Sequence, residues 1–149
     1  MKKTLFLSQL LDLSNIESQS KEFEKYLEQG GTVRELLRLP KSYLEKLYAS
    51  GYLKFQNKDY RPACQLFALL TFLAPDEKKY WKSLGAAHVC LEEYRAAIES
   101  YSTLALLDPQ NPEPHFFIAF CQKKLGGKKE AIDSLDRANK MRQEKWGLS

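Results

Sequence analysis

Between residues 43 and 56 the chain reads YLEKLYASGYLKFQ, and its apolar positions fall into two sets. Wound as an α-helix at about 100° per residue, Leu44, Leu47 and Gly51 share one stripe. Tyr48, Tyr52 and Phe55 share another, about a quarter-turn away. One stripe is enough to dock a helix. The second, wholly aromatic, needs a partner of its own.

Comparing the chain with itself accounts for the first stripe. At an offset of 34 residues Gly51 aligns with Gly85 and Ala119, Ala63 with Ala97 and Ala131, Phe67 with Tyr101 and Leu135, and Pro75 with Pro109. Small residues at Gly51, Gly85 and Ala119 let a partner helix approach, the alanine column does the same from the other helix, and Phe67, Tyr101 and Leu135 fill the space between. The pattern predicts a helix, a tight turn and an antiparallel helix, repeated three times, with neighbouring pairs stacking to complete one core. NKDY (57–60), LEEY (91–94) and LGGKK (125–129) supply the turns within pairs, and the prolines of APDE and DPQNP stop the second helices.

Upstream, Ser14-x-x-Glu17 predicts a capped helix ending at Gly30 and Gly31, with Ile16, Phe23, Tyr26 and Leu27 as its apolar stripe. Thr32-x-x-Glu35 predicts a short turn of helix closed before Pro40, and Ser42-x-x-Glu45 a cap for the first repeat. Residues 1–13 are expected either to be disordered or to take part in self-association. Residues 14–43 form an N-terminal helical segment, and the repeats occupy 44–77, 78–111 and 112–145. The last repeat has Gln143 where the stopping proline would stand, so its second helix is expected to run on through Trp146, making 146–149 a cap.

These columns spell the tetratricopeptide pattern, whose W-x2-L-G signature stands intact at Trp81, Leu84 and Gly85, followed by Ala97 and Pro109. The fold class expected is all-α: three tandem helix pairs in a short right-handed superhelical cup, with an N-terminal helical extension and a C-terminal capping helix. First helices of such a stack line the concave side. The aromatic stripe, one residue out of phase with the packing stripe, then faces the hollow. Moving Tyr48, Tyr52 and Phe55 forward by the repeat length reaches Lys82, Ala86 and Val89, then Phe116, Phe120 and Lys123. This describes a trough with aromatic ends, small aliphatic residues between them and lysines nearby, suited to an extended apolar segment. Tyr48, Tyr52, Phe116 and Phe120 are the expected anchors. The competing arrangement is that the N-terminal helix fills the trough, or that the rings pack among themselves.

Composition removes other classes. The chain has 149 residues, is 44% hydrophobic and 28% charged, and carries a net charge of +4 with its basic residues spread along it. It lacks a basic helix or a Gly-flanked aromatic motif for nucleic acid. The opening MKKTLFLSQLLDLS is broken by Gln9 and Asp12 and falls short of the roughly 20 apolar residues of a membrane span, so neither secretion nor membrane insertion is expected. Cys64, Cys90 and Cys121 are odd in number, lack a C-x-x-C spacing and have only His88 and His115 as helpers, so no disulfide framework, metal or other cofactor is expected. Helical spacing places no nucleophile beside either histidine, and Glu92, four residues after His88, reads as a surface contact, so no enzyme is expected.

Beyond the generic repeat, GGT at 30–32, LEKLYASGYLKFQNKDYRPACQLFALLTFLAP, and YWKSLGAAHVCLEEYRAAIESYSTLALLDPQNPEPHFFIAFC together resemble the class II chaperones of bacterial type III secretion, over about residues 20–140. That resemblance implies a cytoplasmic, non-enzymatic chaperone whose concave face holds an extended N-terminal segment of a hydrophobic translocator protein, with Tyr48, Tyr52 and Phe55 at the family's groove positions. It also implies a homodimer formed through the N-terminal helix, which suits the Ile16, Phe23, Tyr26 and Leu27 stripe. The fold has two other uses. A clamp for an acidic C-terminus would need Lys and Asn where Tyr48 and Tyr52 stand, a second Asn at Ser83, and Lys and Arg at Glu113 and Phe117. A scaffold or adaptor would spend the groove on its own dimer or on a regulator.

Overall fold

The computed structural model describes the backbone of residues 16–147 and the side chains of residues 20–147. Ser14, the side chain of Ile16 and residues 1–13 therefore lie outside the described residues. Every regular element among those described is a helix, and the chain divides after Leu39 into two compact units.

In the first unit, α1 (Ile16–Glu28) ends in a turn where Gly30 takes φ +84°, the Gly30 amide donates to the Leu27 carbonyl, and the Gly31 amide to that of Tyr26. This paired bonding closes the last turn and needs a left-handed residue, which glycine supplies at least cost. Helix α2 (Val33–Leu36) is opened by the expected reciprocal cap: the Glu35 amide donates to the Thr32 hydroxyl, and the Thr32 amide to the Glu35 carboxylate. Those bonds hold the Glu35 carboxyl below the usual carboxylate range. The Tyr26 hydroxyl also donates to Glu35 Oε2, at 3.2 Å, pinning α1 to α2.

The second unit contains three helix pairs: α3 (Lys41–Gln56) with α4 (Tyr60–Leu73), α5 (Lys78–Cys90) with α6 (Tyr94–Leu107), and α7 (Glu113–Lys124) with α8 (Lys128–Trp146). Each helix packs on the next in sequence, and α3 also touches α5. The repeat columns meet as expected. A Cβ on Gly51 would lie 2.8 Å from the Phe67 ring, and one on Gly85 2.8 Å from the Tyr101 ring. Ala63, Ala97, Leu70, Leu104 and Ala138 are fully or almost fully buried. Trp81 anchors the turn between the first two pairs by donating its indole N–H to the Pro75 carbonyl at 2.8 Å.

Three departures from the sequence reading have local causes. Ser42 caps nothing: α3 begins at Lys41 behind Pro40, without a side-chain cap. A proline at that position has its φ preset and leaves no amide to satisfy, so the serine is drawn into the first turn. Leu135 does not fill a core as Phe67 and Tyr101 do; it lies on α8, the last of the described helices, and is 42% exposed because no later described helix packs over it. Helix α8 runs through Trp146 as expected, yet the Trp146 side chain is 68% exposed.

The turns closing α3, α5 and α7 form a column of their own. Lys58, Glu92 and Gly126, in the same register, take left-handed φ values of +63°, +59° and +87°, and the amide of the residue after each donates to the carbonyl of Lys54, His88 or Gln122. The three turns share one backbone geometry, but only the third uses the residue suited to it.

Candidate functional site

Successive first helices are joined by polar contacts. The Tyr48 hydroxyl on α3 lies 3.3 Å from the Ser83 hydroxyl on α5, and Lys79 reaches Glu45 at 2.7 Å. Lys82 on α5 pairs with Glu113 on α7 at 2.9 Å. Ser83 and Glu113, two of the positions a carboxylate clamp would need, are thus occupied in holding the first helices together. Phe117, a third, stacks on Tyr101 with ring centroids 4.7 Å apart and planes 7° from parallel.

The aromatic stripe divides in two. Tyr48 is half-buried within a ring cluster, 5.5 Å from Tyr80, 5.9 Å from Phe67 and 6.3 Å from Tyr52, with the Lys79 ammonium 5.1 Å from its centroid. Phe55 is half-buried edge-on against Tyr60. Tyr52 is 49% exposed and Phe120 43% exposed. They stand two repeat lengths apart in equivalent register, on α3 and α7. Phe116 is half-buried beneath the guanidinium of Arg142, and Phe120 meets Tyr94 edge-on with the Lys124 ammonium 5.5 Å from its centroid. Between them, Ala86 is half-buried and Val89 packs against the core around Tyr101. Lys82, in its ion pair, and Lys123 are exposed.

Sequence reasoning overlooked Tyr60 and Tyr94, which back Phe55 and Phe120. They are themselves 34 residues apart, so the offset that found the other columns would have found this one. In the N-terminal unit Phe23 and Tyr26 are half-buried and Leu27 is exposed.

One grouping contradicts the sequence reading. No cysteine was expected beside a histidine, yet Cys64 Sγ lies 3.7 Å from His88 Nδ1 and 3.8 Å from Nε2. The acidic partner of His88 is Glu93 and not Glu92: Nδ1 and Oε2 are 2.8 Å apart, and Arg61 holds the other carboxylate oxygen at 2.7 Å. Glu92 takes the left-handed turn, and the Glu93 amide donates back to the His88 carbonyl, which sets Glu93 beside the ring. Hydrogen bonds from His88 and Arg61 hold the Glu93 carboxyl below the usual range. Burial, with Glu93 adding to it, pushes the Cys64 thiol up, the opposite of what activates a nucleophile.

The profile of the tetratricopeptide repeat family matches residues 44–77. Low calcium response locus protein H of Yersinia pestis is 30% identical over 122 residues, which span 82% of this chain and 73% of the relative. The type III secretion translocator chaperone SycD of Yersinia enterocolitica superposes with a TM-score of 0.69 at 30% identity, over 74% of this chain and 83% of SycD. This chain belongs to the SycD/LcrH family of translocator chaperones. Other structures show SycD with a peptide of the translocator YopD and in an alternative dimer. Another family member, PcrH of Pseudomonas aeruginosa, bound to the chaperone binding region of PopD, superposes with a TM-score of 0.66 at 32% identity, over 69% of this chain and 77% of PcrH.

Proposed function

We propose that this family member is a cytoplasmic chaperone that binds hydrophobic translocator proteins of a type III secretion system through an extended segment and keeps them soluble before export. The segment lies along the first helices, against Tyr48, Tyr52, Phe55, Lys82, Ala86, Val89, Phe116, Phe120 and Lys123. Repeats at 44–77, 78–111 and 112–145 carry this face. The observation behind the reading is the exposure of Tyr52 and Phe120 in equivalent register, since large rings left open in this way are typical anchors for a partner chain. The solved complexes of SycD and PcrH with translocator segments point to the same class of client.

Tyr48, Phe55 and Val89 serve as the floor of this site, being already packed from below, and Tyr52 and Phe120 reach into the client. Lys82 offers a charge that Glu113 already neutralises, so the affinity is apolar in origin. The protein acts by binding and not by catalysis. The Cys–His–carboxylate grouping found among the described residues has a buried thiol that burial keeps protonated. Self-association runs through the Ile16, Phe23, Tyr26 and Leu27 stripe, leaving the first-helix face to the client.

Co-expression with the hydrophobic translocator of its own secretion system tests this. The wild-type chain is expected to hold the translocator in the soluble fraction, and a Tyr52→Asp/Phe120→Asp variant to lose it while remaining folded and self-associated. Undiminished capture by that variant would refute the site. Loss of self-association with capture intact would favour a scaffold that uses this face for its own dimer.

A further inference from the structure

The Cys64, His88 and Glu93 grouping serves no part of client binding, and it joins three different pieces of the stack. Cys64 comes from α4 in the first pair, His88 from α5 in the second, and Glu93 from the turn leading into α6. We infer that Cys64 Sγ, His88 Nδ1 and Glu93 Oε2 form a binding site for a zinc-class divalent ion that fastens the first helix pair to the second. All three side chains offer ligand atoms within 4.8 Å of one another. Tetrahedral zinc, bonded at about 2.3 Å to sulfur and about 2.0–2.2 Å to nitrogen and oxygen, needs ligand atoms roughly 3.4–3.6 Å apart. The sulfur already stands at 3.7 Å from Nδ1. The His88–Glu93 separation of 2.8 Å must open by about half an ångström. Glu93 has room to do so, because its side chain is one-third exposed and, besides the bond to His88 that the ion replaces, is held by Arg61 through Oε1.

The surroundings suit an ion. Arg61 donates to Oε1 and leaves Oε2 to the metal, the outer-shell role that orients a ligating carboxylate. The left-handed turn at Glu92 and the 2.9 Å bond from the Glu93 amide to the His88 carbonyl fix the two ligands relative to each other before any ion arrives. Sulfur and imidazole together favour zinc-class ions over magnesium or calcium. Partial exposure of His88 and Glu93 gives an entry path and leaves the fourth position to water. On binding, the Cys64 thiol gives up its proton to solvent, the proton shared between His88 Nδ1 and Glu93 is also released while Nε2 carries the neutral ring's N–H, and the ion takes the place of the His88–Glu93 hydrogen bond.

Cobalt(II), added to the reduced full-length chain, tests the site. One equivalent is expected to give tetrahedral visible bands and a thiolate-to-cobalt charge-transfer band, both displaced by zinc. Zinc at about a hundred times its dissociation constant should raise the melting temperature by roughly 5–10 °C. Cys64→Ala should abolish the charge-transfer band and the zinc-dependent rise, whereas Cys90→Ala, at an exposed thiol, should keep both. Glu93→Gln keeps a hydrogen-bonding group beside His88 and should weaken cobalt binding by at least about tenfold, which decides the matter if Cys64→Ala does not fold. Absence of the band in the wild type, its survival in Cys64→Ala, or full affinity in Glu93→Gln would overturn the assignment.

Discussion

Gly85 lies against the Tyr101 ring so closely that an added methyl group would sit 2.8 Å from two ring carbons. Tyr101 cannot retreat, since its ring is buried and its other neighbour is the stacked ring of Phe117. Replacing this glycine by alanine would gain roughly 1 kcal/mol of helix propensity, but overpacking a filled core costs about 1–3 kcal/mol. Gly85→Ala is therefore expected to destabilise the chain, by up to about 2 kcal/mol in urea unfolding. Gly51→Ala, against Phe67, should act in the same direction.

The helix-ending turns predict a change of opposite sign. Lys58 holds a left-handed backbone that costs a side-chain-bearing residue about 1–2 kcal/mol, part of which glycine loses again through its freer unfolded chain. Lys58→Gly should stabilise the protein by about 0.5–1 kcal/mol, and Gly126→Ala, at the equivalent turn, should destabilise it by a similar amount. Thermal melts of both variants check the pair. A loss of stability in Lys58→Gly would mean that the lysine side chain contributes a contact worth more than the backbone strain.

Stability should fall in two stages on acidification. Burial, with Arg137 nearby, pushes the His115 pKa below its ordinary value, so the unfolded chain takes up the proton first. That contribution is fully present above the unfolded histidine pKa, about 6.5, and is lost as pH falls from there to the lower folded value. Glu93 and Glu35, both held low by hydrogen bonds, favour the fold above the ordinary carboxylate range and lose that effect as pH falls through it to their own lower values. His115→Gln should flatten the melting temperature between about pH 7 and pH 5 and leave the lower stage in place. An unchanged profile would show that His115 is hydrated in solution.

On the proposed client face, single substitutions should separate floor from anchors. Tyr52→Ala or Phe120→Ala is expected to weaken translocator binding by about 2 kcal/mol, near thirtyfold, with little change in unfolding. Tyr48→Ala removes a ring packed on Phe67 and Tyr80 and should cost stability as well as binding. Leu106→Lys, at an exposed position on the second helix α6, should alter neither. Isothermal titration with the translocator segment, alongside urea melts, resolves the three behaviours.

Much of this protein is written locally. The 34-residue columns fix which face of each helix is buried, because a glycine opposite an aromatic ring at constant spacing permits one close approach and few others. The Thr32–Glu35 cap and the glycine turn after α1 were equally legible, since their bonds span only a few residues. Contacts between repeats were not. That Tyr48 would be held by Phe67, Tyr80 and Ser83 while Tyr52, one turn later, stayed open depends on how one pair rotates over the next. The same holds for Cys64 meeting His88, 24 residues away and outside every column. Periodicity encodes the repeated seam between helices, and side chains off that seam find their partners only when the pairs stack. The sequence by itself therefore determined the helix pairs and their buried faces, and the tertiary structure decided which rings remain open and which ligating groups meet.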